Sequence, residues 1–153
     1  MKYLISLLSL LVSVLSYSQQ ATLNPITWKA IYTPTTLNEG QITLTASIEK
    51  NWHIYSQRPT DAGPIPTSFS ITPHSNFTLV GKVEETNAHE EFVKAFDAKV
   101  FVFEKEAVFT QKITCHTKQP FIIDITLEYM TCNDMQCLPP KTIKLQVAVN
   151  PEK

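Results

Sequence analysis

The sequence predicts one all-β domain built as a β-sandwich, and three observations lead to that fold class. Short stretches of alternating apolar and polar residues recur along the chain, which is the pattern of half-buried strands in antiparallel sheets. Pro, Asn, Asp and Gly separate these stretches at close spacing, as turns between short strands do. Ten prolines, three glycines and 10% aromatic residues fit neither a collagen-like chain nor a coiled coil.

The first eighteen residues have the pattern of a secretory signal peptide. Lys2 gives a positive start, residues 4–15 form an apolar run, and Ser16 and Ser18 supply the small residues of a cleavage site. As a helix the run spans roughly 18 Å against roughly 30 Å for a bilayer core, so a membrane anchor fits it less well. We expect cleavage after Ser18, no membrane span afterwards, and one exported, soluble domain of residues 19–153.

Nine segments of the mature chain are candidate strands. The clearest are residues 41–49, 121–129 and 142–150, each with apolar side chains at every second position. The weaker candidates are residues 26–32, 52–57, 67–71, 77–83, 99–104 and 107–115. Eight or nine short strands at this spacing predict a sandwich.

Residues 84–97 lack strand alternation. Phe92 and Phe96 lie four positions apart, which is the spacing of one face of a helical turn. We therefore predict a loop or a short helix here rather than a strand. Its glutamates are expected to form an exposed acidic face: Glu84, Glu85, Glu90 and Glu91.

The size and charge of the chain restrict its architecture and its partners. With 153 residues, of which 43% are hydrophobic, the chain fits one compact domain. Thirteen basic residues against fourteen acidic ones give a formal net charge of -1, so no basic surplus exists to neutralise a phosphate backbone. We expect no nucleic-acid partner.

The most informative segment contains two of the three cysteines. Cys132 and Cys137 follow the strongest strand pattern and precede two prolines, which cannot donate backbone hydrogen bonds and hold the exit of the segment rigid. The two cysteines are therefore expected in a short loop between two strands. Asn133 and Asp134 suit a tight turn, so the two sulfurs can come within bonding reach.

Three interpretations of this pair are open on spacing alone. A bridge across about six residues contributes only roughly 2 kcal/mol through chain entropy, and short exposed loops often hold the reducible disulfides used in exchange. A purely structural disulfide of a small exported domain is the second interpretation. The third is a Cu(I) site, because thiolate and thioether sulfurs suit that ion; its ligands would be Met130, Cys132, Met135 and Cys137.

Four stretches resemble a known family. They are WHIYSQ at residues 52–57, GPIPTSF at 63–69, the stretch 96–109, and the cysteine segment from YMTC at 129–132 to CLPP at 137–140. Together they span nearly the whole mature chain, and the cysteine segment is the most specific of them. The chain resembles the N-terminal periplasmic domain of DsbD, the thiol:disulfide interchange protein, in particular the free-standing versions found in Bacteroidetes.

The resemblance implies an immunoglobulin-like β-sandwich with a cysteine-bearing loop between two strands and a cap loop that shields the pair. Cys132 and Cys137 would exchange electrons with periplasmic thioredoxin-fold proteins, with no cofactor and no metal, as a protein-disulfide reductase or redox carrier. An immunoglobulin-like binding module with a structural disulfide stays the alternative, as does the Cu(I) site.

The resemblance also assigns the residues around the pair. Residues 89–96 look like the cap loop, with Phe96 the first choice for the shielding aromatic residue and Phe92 the second. Tyr55 and His53 match aromatic positions beside the pair. DsbD proper continues into a membrane electron-transfer domain, whereas this sequence ends at residue 153, so we expect a separate membrane electron donor of DsbD type.

The residues along the chain near the pair predict a sluggish nucleophile. Exchange requires a thiolate, yet no Lys, Arg or His adjoins the pair before Lys141, and Asp134 opposes a second negative charge. The resemblance favours Cys137 as the sulfur that bonds to the partner. Cys115, at the end of a candidate strand, is expected to be a buried and unreactive thiol.

Overall fold

The computed structural model describes residues 23–60, 63–94 and 96–151, and these residues form eleven strands and no helix. The expected signal peptide, residues 1–18, lies outside the described residues. Within the described part, no helix is long and apolar enough to cross a membrane. The strands are β1 (Ile26–Pro34), β2 (Glu39–Ile48), β3 (His53–Tyr55), β4 (Ser68–Ile71), β5 (Phe77–Thr86), β6 (His89–Val93), β7 (Ala98–Glu104), β8 (Glu106–Cys115), β9 (Phe121–Tyr129), β10 (Thr131–Cys132) and β11 (Lys141–Val149).

The strands form three antiparallel sheets with the orders β1-β2-β8-β5, β11-β9-β4 and β10-β3-β7-β6. Side chains from the first two sheets share one buried core. Trp28 of β1 joins them, because its ring centroid lies 5.5 Å from that of Tyr129 on β9 and 6.1 Å from that of Phe69 on β4. The structure is therefore the immunoglobulin-like β-sandwich that the sequence analysis expected.

Burial follows the alternation of the clearest predicted strands. In β2, the side chains of Ile42, Leu44 and Ala46 are fully buried and the residues between them are partly exposed. β9 has the predicted limits and points Ile123 and Ile125 into the same core. Each large aliphatic side chain buried in this way contributes roughly 1.5–3 kcal/mol, so β2 and β9 belong to the stable frame of the domain.

The prediction of a loop or short helix at residues 84–97 was wrong. β5 continues through Thr86, and β6 forms an antiparallel hairpin with β7. β6 lies at the edge of its sheet and buries only Val93, so its sequence lacks the apolar alternation of a half-buried strand. Phe92 and Phe96 do not share a helical face, because Phe92 lies on β6 and Phe96 in the turn that follows.

The third sheet carries the cysteine pair. Its strand β3 lies between β10 and β7 and has only three residues. Two threonine side chains hold it from either side: Thr131 Oγ1 donates to the carbonyl oxygen of His53 over 2.8 Å, and Thr67 Oγ1 donates to that of Tyr55 over 2.6 Å. A strand this short needs such side-chain bonds to keep its position.

Candidate functional site

Cys132 and Cys137 form a disulfide with an S–S distance of 2.05 Å. Cys132 is the second residue of β10, so the expectation of a plain loop between two strands missed a short strand within it. β10 pairs with β3, which places Cys132 directly opposite His53, and Cys137 forms a single β-bridge back to Cys132. The pair is thus anchored to the third sheet through one of its two cysteines.

The four residues between the cysteines form the tight turn that the sequence predicted. Asn133 Oδ1 accepts hydrogen bonds from the backbone N–H groups of Met135 and Gln136, over 2.9 Å and 2.8 Å. The N–H of Asn133 in turn donates to the carbonyl oxygen of Gln136 over 2.9 Å. The Asn133 side chain thus forms hydrogen bonds with the backbone of its own turn, as asparagine often does, and these bonds hold the two ends of the segment close together.

The two sulfurs have different surroundings. Cys132 is 1% exposed and packs in a small apolar cluster with Tyr55, Val93 and other side chains of the third sheet. Cys137 is partly exposed and lines a cavity of about 870 Å³. The cavity also borders Phe92 of β6. Cys137 is therefore the more accessible of the two cysteines, although it also packs against the cluster that contains Cys132.

His53 and Tyr55 lie together beside the pair. His53 Nε2 and the Tyr55 hydroxyl are hydrogen-bonded over 2.9 Å, and their rings meet edge to face with centroids 5.2 Å apart. Burial lowers the pKa of His53 below its ordinary value, although nearby carboxylates partly offset that effect. Burial also raises the pKa of Tyr55, and the charge of Glu91 adds to the shift. Both side chains are therefore neutral at pH 7.

His53 is a titratable neighbour of the pair that the order of residues along the chain does not reveal. We found no Lys, Arg or His adjoining the pair before Lys141, but the pairing of β3 with β10 brings His53 across from Cys132. The WHIYSQ stretch was recognised as a strand, yet nothing in the residue pattern fixes the partner of a strand or its register. The position of His53 opposite Cys132 therefore could not be derived from the residue pattern alone.

The two aromatic residues of the expected cap occupy different places. Phe96 lies in the turn between β6 and β7, and its ring meets Tyr55 edge to face with centroids 6.0 Å apart. Phe92 is 52% exposed and borders the cavity next to Cys137. Phe96 therefore packs against the wall of the site, while Phe92 stands at its rim.

Glu85 does not belong to an exposed acidic face and corrects that expectation. Its carboxylate accepts hydrogen bonds from the Ser56 hydroxyl and, over 2.8 Å, from the backbone N–H of Gln57. Arg58 approaches the same carboxylate at 3.5 Å, and its guanidinium stacks 4.0 Å above the ring centroid of Phe101. Glu85 thereby connects β5 to the segment that follows β3. Nothing in the cluster of four glutamates in the sequence indicates this role.

The four sulfur ligands proposed for Cu(I) are not equivalent in the structure. Met130 packs in the same small cluster as Cys132, whereas Met135 is 88% exposed at the tip of the turn. In this oxidised form the two cysteine sulfurs are bonded to each other, so neither is a thiolate. Across the described ranges, no group of three or more His, Cys, Asp or Glu residues could hold a metal ion.

The family model for the N-terminal part of the thiol:disulfide interchange protein DsbD matches residues 21–148. The chain belongs to the DsbD N-terminal family. The resemblance identified from the sequence is thereby confirmed. For a DsbD N-terminal domain, family membership implies thiol–disulfide exchange with thioredoxin-fold partners. A comparison with curated protein sequences gives no match.

Solved structures show the same fold for this DsbD N-terminal domain. The DsbD N-terminal domain of Neisseria meningitidis in the reduced form has 14% identity and a TM-score of 0.56, with 84% of this chain and 91% of that chain covered. The N-terminal periplasmic domain of ScsB from Proteus mirabilis has 13% identity and a TM-score of 0.54, with 82% and 45% covered. A complex between the DsbD N-terminal and PilB N-terminal domains of N. meningitidis has 13% identity and a TM-score of 0.56, with 82% and 87% covered.

Proposed function

We propose that the protein is an exported thiol–disulfide carrier that passes electrons through Cys132 and Cys137 to or from thioredoxin-fold proteins. The observation that carries the proposal is the asymmetry of the pair: Cys132 is buried in the third sheet, and Cys137 is partly exposed and lines a cavity. A staple that only stabilised the fold would gain nothing from a cavity beside one of its sulfurs, and a bridge this short contributes little through chain entropy.

We infer from the asymmetry that each cysteine takes a different step. In the reduced protein, Cys137 loses its proton and attacks a partner disulfide, so that one S–S bond forms while the partner's own S–S bond breaks and its leaving thiolate takes up a proton. Cys132 then loses its proton and attacks the Cys137 sulfur of the mixed disulfide. The internal disulfide forms and the second partner thiolate leaves, so two electrons and two protons have moved to the partner.

The shielding role belongs to Phe96, with Tyr55 behind it and Phe92 at the rim. The edge-to-face contact between Phe96 and Tyr55 supports a cap that rests on the site wall and moves when a partner docks. A shielded pair reacts slowly with small thiols and disulfides, which protects reducing equivalents from loss. His53 lines the same cavity and completes the set of site residues.

The family and the sequence pattern of the first eighteen residues support a cellular setting for this function. We place the domain in the periplasm after removal of the signal peptide, with electrons supplied by a membrane protein of DsbD type. That one of the similar structures is a complex of a DsbD N-terminal domain with a PilB N-terminal domain supports protein partners rather than small-molecule ones.

The direct test is thiol trapping by mass spectrometry across a series of glutathione redox buffers. The pair should show a reversible midpoint within the range of exchange proteins, roughly -120 to -270 mV. Cys115 serves as the internal control, because a single buried thiol should not follow the same midpoint. A pair that stays fully oxidised well below about -300 mV would be a structural disulfide, and the carrier function would be wrong.

A further inference from the structure

His53 and Cys132 are neighbours through the pairing of β3 with β10. The register has two partner pairs, of which Cys132 opposite His53 is one. Residues directly opposite in an antiparallel pair project to the same face, with Cβ atoms about 4.5–5.5 Å apart. An imidazole is therefore the cross-strand neighbour of the buried thiol, although the two residues are far apart in the sequence.

The packing around these residues places them on one face. Tyr55, two residues after His53 and hydrogen-bonded to it, packs in the same small cluster as Cys132. His53 is 8% exposed, and the surface it keeps borders the cavity that Cys137 lines. The imidazole thus lies on the same face of the third sheet as Cys132 and borders the cavity that Cys137 lines.

We propose that His53 is the proton acceptor for Cys132 when Cys132 resolves the mixed disulfide, a role that deepens the proposed function and rests on it. Cys132 is 1% exposed, so its proton has no direct route to bulk water, and burial disfavours the thiolate that must attack. A neutral imidazole beside the thiol supplies the missing base. Because Nε2 is bonded to Tyr55, we assign the incoming proton to Nδ1.

The proposed step balances in both directions. The Cys132 proton moves to His53, the Cys132 sulfur bonds to the Cys137 sulfur, and the bond from Cys137 to the partner breaks. The departing partner thiolate takes up one proton from water, and the His53 imidazolium later returns its proton to solvent through the cavity. In the reverse direction the imidazolium donates to Cys132 as its sulfur leaves the disulfide.

The charged groups around His53 set how readily it accepts that proton. Burial opposes the imidazolium, and so does His89 on β6, while the carboxylates of Glu91 on β6, Glu104 on β7 and Asp134 in the turn favour it. Carboxylates on three elements thus partly compensate for burial, which keeps the imidazole able to take up a proton without holding one at rest.

The test separates the two exchange steps with 5,5′-dithiobis(2-nitrobenzoate), applied in excess to the reduced protein in a Cys115→Ala background. The first thionitrobenzoate is released when Cys137 attacks, at a rate that rises with reagent concentration. The second is released when Cys132 resolves the mixed disulfide, at a rate independent of reagent concentration. The second rate is measured between about pH 6 and about pH 10 for the parent, His53→Gln and the matched control His74→Gln.

We expect His53→Gln to slow the second release by roughly 10²-fold near pH 7 and to leave the first within about twofold. The difference should close towards about pH 10, above the ordinary cysteine pKa of about 8.5, where hydroxide can ionise the thiol without a base. His74→Gln, which removes an exposed imidazole just before β5 that is not among the groups acting on the His53 pKa, should follow the parent. A second release that is unchanged in His53→Gln, or slowed equally at every pH, would overturn the proposal.

A second variant covers the case in which His53→Gln does not fold. Tyr55→Phe removes the hydroxyl that accepts a hydrogen bond from the imidazolium, so the pH inflection of the second release should move to lower pH. An inflection that does not move would contradict the assignment of that proton to His53. Failure of the proposed function is distinguishable, because a pair that stays oxidised well below about -300 mV in the glutathione series is a structural disulfide whatever the pH dependence of the second release.

Discussion

Cys115 and Cys132 are both almost fully buried, yet the structure surrounds them differently. Cys115 ends β8 inside the large core, and its sulfur lies 3.7 Å from the hydroxyl oxygen of Tyr32. Cys132 lies in the smaller cluster, bonded to Cys137, which faces a cavity. Burial alone therefore does not separate a structural thiol from a reactive one. In our proposal, what separates them is the second sulfur of Cys137, which a tight turn holds beside a cavity.

The largest expected effect is the loss of exchange when either member of the pair is removed. Cys132→Ala and Cys137→Ala should each abolish turnover in reduction of a disulfide-bonded thioredoxin-fold protein, because one cysteine alone cannot complete the two steps. Cys115→Ala should retain turnover. The measurement is the rate of partner thiol appearance, with far-ultraviolet circular dichroism as the check on folding.

The contrast between the two cysteine environments would be wrong if Cys115 proved necessary for exchange or if the Cys132–Cys137 bridge proved necessary for folding. Cys132→Ala and Cys137→Ala should stay folded, because the short bridge contributes only roughly 2 kcal/mol through chain entropy and the large core contains neither residue. Loss of folding in both variants would make the disulfide structural. Loss of turnover in a folded Cys115→Ala protein would mean that a reactive thiol lies in the large core rather than in the third sheet.

The frame of the sandwich was predictable because its strands are half-buried. β2, β9 and β11 bury one face each, so every second side chain is apolar and the period is visible in the sequence. β6 and β10 were missed for opposite reasons. β6 is an edge strand with a polar exterior, and β10 has only two residues, both buried. Neither strand therefore shows the alternation of apolar and polar residues that identifies a strand in a sequence.

The site was predictable to the extent that its chemistry is local. Cys132, Cys137 and the turn between them are consecutive in sequence, so the pairing and the role of Asn133 could be anticipated. His53 as the neighbour of Cys132 could not, because it depends on which strand β10 joins and in which register. The family resemblance placed His53 near the pair, and in the structure the pairing of β3 with β10 brings it there.

A smaller effect is expected when the Phe96 ring is removed. An aromatic edge-to-face pair contributes about 0.5–1.5 kcal/mol, and in our proposal the Phe96–Tyr55 contact, with ring centroids 6.0 Å apart, holds the cap against the site. Phe96→Ala should therefore raise the population of the open form, and with it the rate at which Cys137 reacts with a small disulfide, by roughly two- to tenfold. The rate is measured by stopped-flow release of thionitrobenzoate.

Phe92→Ala is the matched control for the cap. It removes the same side chain from the same hairpin, but Phe92 is 52% exposed at the rim, so the Cys137 rate should change by less than in Phe96→Ala. Cys115 in the same sample should react at its parental rate in both variants. A larger acceleration from Phe92→Ala would identify Phe92 as the shielding residue and reverse the assignment.

The smallest expected effect concerns Tyr32, the neighbour of Cys115. Burial chiefly, and Cys115 secondarily, raise the pKa of Tyr32 to about 12. An unfolded tyrosine loses its proton near pH 10, so the folded state holds that proton over a window in which the unfolded state has released it. The stabilising contribution is complete below about pH 10 and is lost as the pH rises towards 12.

Tyr32→Phe lacks this titration, so between about pH 9 and about pH 11 its free energy of unfolding in urea should fall less than that of the parent protein. Tyr55 and Tyr129 also have raised pKa values, but they titrate in both proteins and cancel in the difference. Cys115→Ala should remove only part of the effect, because burial of Tyr32 is the larger cause. Equal losses in the parent and in Tyr32→Phe would show that the pKa of Tyr32 is not raised, which would contradict the burial of its hydroxyl beside Cys115.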